Sequence, residues 1–153
     1  MCAELDTTLE QRALHNADGR TSASDWHVDV RLCLIIRQLA QHAPSSFSVP
    51  SRLIALCKHL ARAIAAPRPA VVRPALLASL DLFECEPAHE YLRPLAINQK
   101  LVQVMVLVAG RAGPAVDALI DQALFAICAV AGHRVVRPMA EQACVKGDRF
   151  YQN

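Results

Sequence analysis

The chain of 153 residues contains few aromatic residues, few glycines and few charges. Phe, Trp and Tyr make up 5% of the chain and charged residues 20%, there are five glycines, and 54% of the residues are hydrophobic. This composition excludes a disordered or collagen-like chain. No uninterrupted apolar run approaches the roughly 18 residues of a membrane-spanning helix, so we predict no transmembrane segment.

The sequence also lacks a CxxC pair, and its start lacks the basic segment and apolar core of a secretion signal. A chain of this length buries enough apolar surface to fold without disulfides. We therefore expect a cytoplasmic or nuclear protein that is not secreted, with free thiols packed mostly as small hydrophobic groups. The six cysteines are Cys2, Cys33, Cys57, Cys85, Cys128 and Cys144.

Apolar residues recur mainly at helical spacing along the chain, and prolines and glycines mark the ends of the helical segments. We predict that the first helix begins near Leu5, and Thr7 and Glu10 form a capping-box pattern close to that start. The segment 101–108 has the valines and the length of a buried strand, but no second convincing strand exists to pair with it, so we predict a helix there. Prolines at 67 and 69 break the chain between the third and the fourth helix. The predicted helices cover residues 5–17, 24–42, 50 to this break, the break to 83, 87–92, 97–110, 114–131 and 138–145.

These elements predict a single all-α domain over residues 1–153, with an acidic N-terminal helix and loop at 1–24 and a flexible tail at 147–153. The segment 114–131 is apolar on nearly all sides, which is typical of a helix at the centre of a domain. We therefore expect it to be the central helix.

The order of helices in the second half resembles one armadillo repeat. A short helix (87–92), a medium helix (97–110) and a long helix rich in small residues (114–131) follow one another, and Lys100-Leu-Val-Gln-Val and Ala123-Leu-Phe-Ala-Ile-Cys-Ala-Val are similar to that family's second and third helices. Arg52-Leu-Ile-Ala-Leu suggests an earlier copy, so the resemblance covers about residues 50–140. It implies a surface that docks another macromolecule without chemistry of its own; HEAT-like pairs and an irregular bundle remain alternatives.

The distribution of charge is uneven. No Asp or Glu occurs between Val30 and Leu80, whereas this segment holds seven bases. On the predicted third helix, several of these bases lie opposite the apolar stripe, which predicts a cationic face for an acidic protein partner or phosphates. The alternative is a solvated face that is neutralised by the acidic residues of 1–29. The predicted partner-binding residues here are Arg52, Lys58, His59, Arg62, Arg68 and Arg73.

Trp26 is the only tryptophan. With Val30, Cys33 and Leu34 it forms an apolar strip on the back of the second helix. If the first helix does not cover this strip with Leu9 and Leu14, an exposed patch centred on Trp26 indicates an interface. We therefore include Trp26 among the candidate partner-binding residues.

No catalytic, metal or cofactor residue is predicted, because each candidate pattern has a simpler structural interpretation. Cys85 and His89 have helical ligand spacing but no second ligand pair nearby. Cys57, Lys58 and His59 resemble a nucleophile with its base, but neighbouring helical residues point in different directions, and Cys57 belongs to the apolar stripe. Asp117 and Asp121 form a carboxylate pair that is more typical of a solvent stripe or of salt bridges with Arg134 or Arg137.

The sequence thus predicts a non-enzymatic interaction module or subunit of a larger assembly, which binds a protein partner or associates with itself. A nucleic-acid-associated subunit that uses the basic segment 30–80 is the first alternative. The scarcity of aromatic residues argues against base stacking. A small helical enzyme or ligand-binding bundle is the second alternative.

Overall fold

The computed structural model describes residues 2–17, 26–66, 68–94 and 97–132. Every regular element in these four ranges is helical, which confirms the all-α prediction, and the ambiguous segment 101–108 lies inside a helix. Two 3₁₀ turns, Pro44–Phe47 and Glu86–Ala88, lie between consecutive α-helices. The α-helices are α1 (Cys2–Ala17), α2 (Trp26–His42), α3 (Pro50–Ala65), α4 (Pro69–Glu84), α5 (His89–Leu92), α6 (Ile97–Val108) and α7 (Pro114–Ala131).

Prolines mark the starts of three helices. The sequence predicts this for Pro50 and Pro114, whereas it predicts Pro69 only as part of a break before the helix. Pro50, Pro69 and Pro114 lie in the first turns of α3, α4 and α7. A helix begins readily at proline, because the missing N–H would have no partner there and the fixed φ already suits the helix. α7 ends at Ala131 and is followed by Gly132, whose φ of 81° is accessible to glycine at little cost.

The predicted start of the first helix is wrong. α1 begins at Cys2, and Thr7 lies within it, where its hydroxyl donates a 2.8 Å hydrogen bond to the carbonyl of Ala3 one turn earlier. A threonine hydroxyl can bond in this way inside a helix as well as cap one, so Thr7 and Glu10 do not form a capping box. The turn before Leu5 is held by tertiary contacts, since the Cys2 thiol donates a 3.0 Å hydrogen bond to the Ser46 hydroxyl and Glu4 is paired with Arg31.

The helices pack in two rows. Within the first row α3 contacts α1 and α6, and within the second row α4 contacts α2 and α7. Across the rows α1 packs on α2, α3 on α4, and α6 on α7. The core lies between the rows, and its largest fully buried side chains include Phe47, Phe83, Leu32, Leu56 and Leu76. α3 and α4 therefore occupy the centre, and each of them has neighbouring helices on three sides.

The prediction that α7 is the central helix is wrong. One face of α7 is buried against α4, but Phe125 on the opposite face is 78% exposed, and Ala118 and Ala129 are exposed beside it. Alanines make a helix look apolar in sequence, yet each contributes little surface and thus little drive to be buried. α7 consequently lies at one end of the second row.

Several sequence predictions fall outside the described residues. They are the Ser24 or Asp25 cap of the second helix, the short helix at 138–145, the tail at 147–153 and the salt bridges of Arg134 and Arg137.

Candidate docking groove

The apolar stripe of α3 is confirmed. Leu53, Leu56, Cys57, Leu60 and Ile64 are all completely buried. The other side of the helix carries Lys58 and Arg62, one turn apart, and both are exposed as predicted. The helical period alone therefore places these two cations in solvent.

Arg52 is not free for a partner, which corrects the prediction for this residue. Its guanidinium donates 2.8 Å hydrogen bonds from Nε and Nη2 to the carboxylate of Asp6, and Nη1 donates to the Ser46 carbonyl at 2.7 Å. The Arg52 side chain is only 17% exposed as a result. α1 thus brings an acidic residue onto the start of α3, as the alternative of an acidic N-terminus folding back implies.

The placement of His59 on the exposed face is also wrong, since this residue is 3% exposed. Its Nε2 lies 3.9 Å from Asp29 Oδ1 and has no hydrogen-bond partner within the described structure. Asp29 on α2 is itself bound by Arg12 of α1 at 2.9 Å. Burial, with the nearby charges of Arg62 and Arg12 as smaller causes, lowers the pKa of His59 to about 4, so the imidazole is neutral at pH 7.

A groove runs between α3 and α6. Its cavity volume is about 380 Å³, within the range of about 300–1,000 Å³ of ligand pockets. Alanines on α3 leave space between the two helices, and the groove walls are mainly apolar. We refer to this feature as the α3–α6 groove; its lining residues are Lys58, Ala61, Arg62, Ala65, Ile97, Lys100 and Val104.

α6 contributes the third cation of the groove. Lys100 is exposed, while Val104 on the next turn is buried. The first turn of α6 is held in place by Asn98, a completely buried side chain whose Nδ2 donates a 2.8 Å hydrogen bond to the Leu92 carbonyl. Sequence reasoning did not place Lys100 in the site. The available signal was that Lys100 is the only base in α6, but nothing local indicates that α6 packs beside α3.

The bases of the segment 30–80 divide into two groups. Arg31 is paired with Glu4, Arg37 with Asp81 at 2.7 Å, and Arg52 with Asp6. By contrast, the other four bases of the segment have no carboxylate within 4.0 Å in the described part of the chain; they are Lys58, Arg62, Arg68 and Arg73. Two of them, Lys58 and Arg62, line the groove together with Lys100, which is unpaired in the same sense. Because these three cations have no compensating charge among the described residues, the groove favours anions.

The remaining candidate residues lie outside the groove. Arg68 and Arg73 are exposed near and within the first turns of α4. Trp26 is partly buried against the core, and its ring stacks on His27 with 3.6 Å between centroids. The predicted strip around Trp26 is divided, since Cys33 is completely buried whereas Leu34 is 50% exposed.

The two cysteine patterns considered above, Cys57 with His59 and Cys85 with His89, consist of residues with structural roles. Burial raises the pKa of Cys57 to about 12, so this thiol stays protonated and is a poor nucleophile. His89 Nε2 lies 2.7 Å from the Phe83 carbonyl, and Cys85 is buried. Among the described residues no group of three His, Cys, Asp or Glu side chains is close enough to hold a metal ion.

The two aspartates of α7 differ in environment. Asp117 Oδ1 accepts a 2.8 Å hydrogen bond from the backbone amide of Gly110, which fastens the turn between α6 and α7. Asp121 is exposed one turn further on. This hydrogen bond gives Asp117 a structural role, so no acid–base catalysis is needed to explain the residue.

α7 is long and apolar enough to cross a membrane by length and composition, with a mean hydropathy of 1.6 and a third of its residues buried. Core helices of water-soluble proteins meet the same criterion, so the absence of a transmembrane segment stays a prediction. Comparison of the chain with protein-family models, curated proteins and solved structures gives no match. The resemblance to armadillo or HEAT repeats therefore stays a prediction too.

Proposed function

We propose that this protein is a non-enzymatic interaction module, a subunit of a larger assembly, which docks an acidic protein partner in the α3–α6 groove. The observation that carries the proposal is the set of three exposed cations, Lys58, Arg62 and Lys100, around a mainly apolar groove. Burial of apolar side chains in the groove supplies binding energy, and the three cations make the groove specific for a negatively charged partner.

The arrangement of helices supports the same function. Helices that pack in two rows, pair by pair, are the architecture that HEAT and armadillo repeats use to present binding surfaces between neighbouring helices. In our proposal α3 and α6 are neighbours in such a row, and their groove is the binding surface. In this proposal Arg52, which is paired with Asp6 of α1, and His59, which is buried, do not contact the partner.

The alternative of nucleic-acid binding receives less support. Three of the seven bases in the segment 30–80 are paired with carboxylates, so the segment does not form one continuous cationic face. The groove also has no aromatic residue among its lining residues, whereas proteins that bind single-stranded nucleic acids typically combine a cationic groove with aromatic rings on which the bases stack.

The test is binding of a short fluorescein-labelled peptide rich in Asp and Glu, measured by fluorescence anisotropy on the full chain. A variant with Lys58→Gln, Arg62→Gln and Lys100→Gln is compared with a control that carries Arg68→Gln, Arg73→Gln and Arg111→Gln. Both variants have the same net charge, and all six residues are exposed. We expect about tenfold weaker binding for the groove variant and less than a twofold change for the control, since exposed charge pairs each contribute about 0.2–1 kcal/mol.

Equal weakening by both variants, or no binding of the peptide at all, would overturn the proposal. A single-stranded oligonucleotide of equal charge serves as the second probe. If it binds more tightly than the peptide, and its binding falls steeply between about 50 and 200 mM salt, the nucleic-acid alternative replaces the proposal.

A further inference from the structure

The α3–α6 groove has two chemically different parts. Lys58 and Arg62 lie one helical turn apart on one wall, and Lys100 lies on the other wall. Between them the lining is made of alanine, isoleucine and valine side chains. A partner that satisfies both parts needs an apolar group flanked by negative charges.

From this pattern, and on the basis of the proposed function, we infer that the partner segment is an acidic amphipathic helix with one large apolar side chain that enters the groove. The carboxylates lie three or four positions before and after that side chain. This spacing places all of them on one face of a helix, where they meet the cations on both walls. Such binding is the helix-in-groove mode of peptide recognition.

Charge complementarity favours this partner over others. A purely acidic, flexible segment would pair with the cations but leave Ile97 and the alanines uncovered. A purely apolar helix would desolvate Lys58 and Lys100 without giving them partners, which is costly for charged groups. Only a segment that combines both properties satisfies the whole groove.

Small residues on α3 set the depth of the groove. Ala61 is 3% exposed and belongs to the floor, whereas Ala65, the last residue of α3, is exposed at its end. A larger side chain at Ala65 would extend into the space that the partner's apolar group needs. Because Ala65 is exposed, the substitution does not disturb the core.

The test uses three labelled peptides of equal net charge. The first is an acidic helix with Leu at its centre, the second has Ser in place of this Leu, and the third has the composition of the first with its acidic residues moved to the opposite face. We expect the first peptide to bind about tenfold more tightly than the other two, because burial of a leucine side chain is worth about 1.5–3 kcal/mol.

Ala65→Leu is the matching variant of the protein, and Ala70→Leu, at another exposed alanine, is its control. We expect Ala65→Leu to remove the advantage of the Leu peptide over the Ser peptide, and Ala70→Leu to preserve it. Circular dichroism checks that both variants are folded.

The outcomes separate this inference from the proposed function. If the three peptides bind equally well and all depend on the groove cations, the function stands and the amphipathic partner is wrong. If Ala65→Leu leaves the preference for Leu intact, the apolar side chain does not enter the groove and the inference is wrong. If no peptide binds, both proposals fall.

Discussion

Arg52 of α3 and Asp6 of α1 form a two-pronged ion pair in which Nε and Nη2 each lie 2.8 Å from a carboxylate oxygen. The planar guanidinium matches a carboxylate in this geometry, so the pair is more specific than a single contact. The hydrogen bonds from Arg52 hold the pKa of Asp6 below its usual value, and they raise that of Arg52. The pair therefore fastens the N-terminal helix to the body of the protein.

Breaking this pair should destabilise the protein modestly. We expect Asp6→Asn to lower the free energy of unfolding by about 1 kcal/mol, because the pair is partly exposed to solvent. A double-mutant cycle with Arg52→Met, measured by urea unfolding at pH 7, gives the coupling energy. The more exposed pair of Arg31 and Glu4 is the control, and its coupling should be below about 0.5 kcal/mol. Equal coupling in the two pairs would contradict the special role of Arg52.

The pair also has a defined dependence on pH. Because the pKa of Asp6 is lowered in the folded state, its contribution is present above the unfolded pKa and is lost as the pH falls through the lower, folded value. This loss begins below about pH 4. It is therefore separated from the effect expected of His59.

His59 should make the protein less stable in mild acid. Its folded pKa is about 4, below the ordinary value of 6.5, so the unfolded chain takes up a proton first as the pH falls. Stability is then complete above about pH 6.5 and is lost progressively towards pH 4. We expect a loss of about 2 kcal/mol between pH 7 and pH 5 in urea unfolding.

The control for this prediction is His59→Gln, which removes the titrating group and should flatten the profile between pH 7 and pH 5. The charged groups facing His59 are Asp29 of α2, Arg12 of α1 and Arg62 of α3 itself. An equal slope in the wild type and in His59→Gln would show that another group is responsible.

Two phenylalanines should respond very differently to truncation. Phe83 is 1% exposed in the core, so Phe83→Ala should cost about 3–5 kcal/mol, or prevent folding, through lost burial and a cavity. Phe125 is 78% exposed on α7, so Phe125→Ala should change stability by less than about 0.5 kcal/mol. Thermal unfolding compares the two. A large cost for Phe125→Ala would mean that its ring is covered in solution.

Local sequence signals predict most of the helical structure. Pro114 and Gly132 mark both ends of α7, and the apolar period of α3 identifies its buried stripe. These features depend on the residues themselves and on neighbours within one or two turns, so the printed sequence contains them. The start of α1 is an exception, because the turn before Leu5 contacts residues far along the chain, through Cys2 with Ser46 and Glu4 with Arg31.

The candidate site is only half predictable for the same reason. The helical period places Lys58 and Arg62 in solvent, but it also places Arg52 and His59 there. Contacts with distant residues bury both side chains instead, since Arg52 is hydrogen-bonded to Asp6 of α1 and His59 lies beside Asp29 of α2. Lys100 joins the groove because α6 packs against α3, and no local pattern contains that contact.

The sequence by itself determined that the described part of the chain is helical, where most of those helices begin and end, and that the middle third of the chain is basic. Only the tertiary structure shows which of those bases are paired with carboxylates, which helices lie at the centre, and which two helices enclose a groove. The physical reason is range: helix propensity and periodicity act over a few residues, whereas burial and ion pairing depend on which distant surfaces come together.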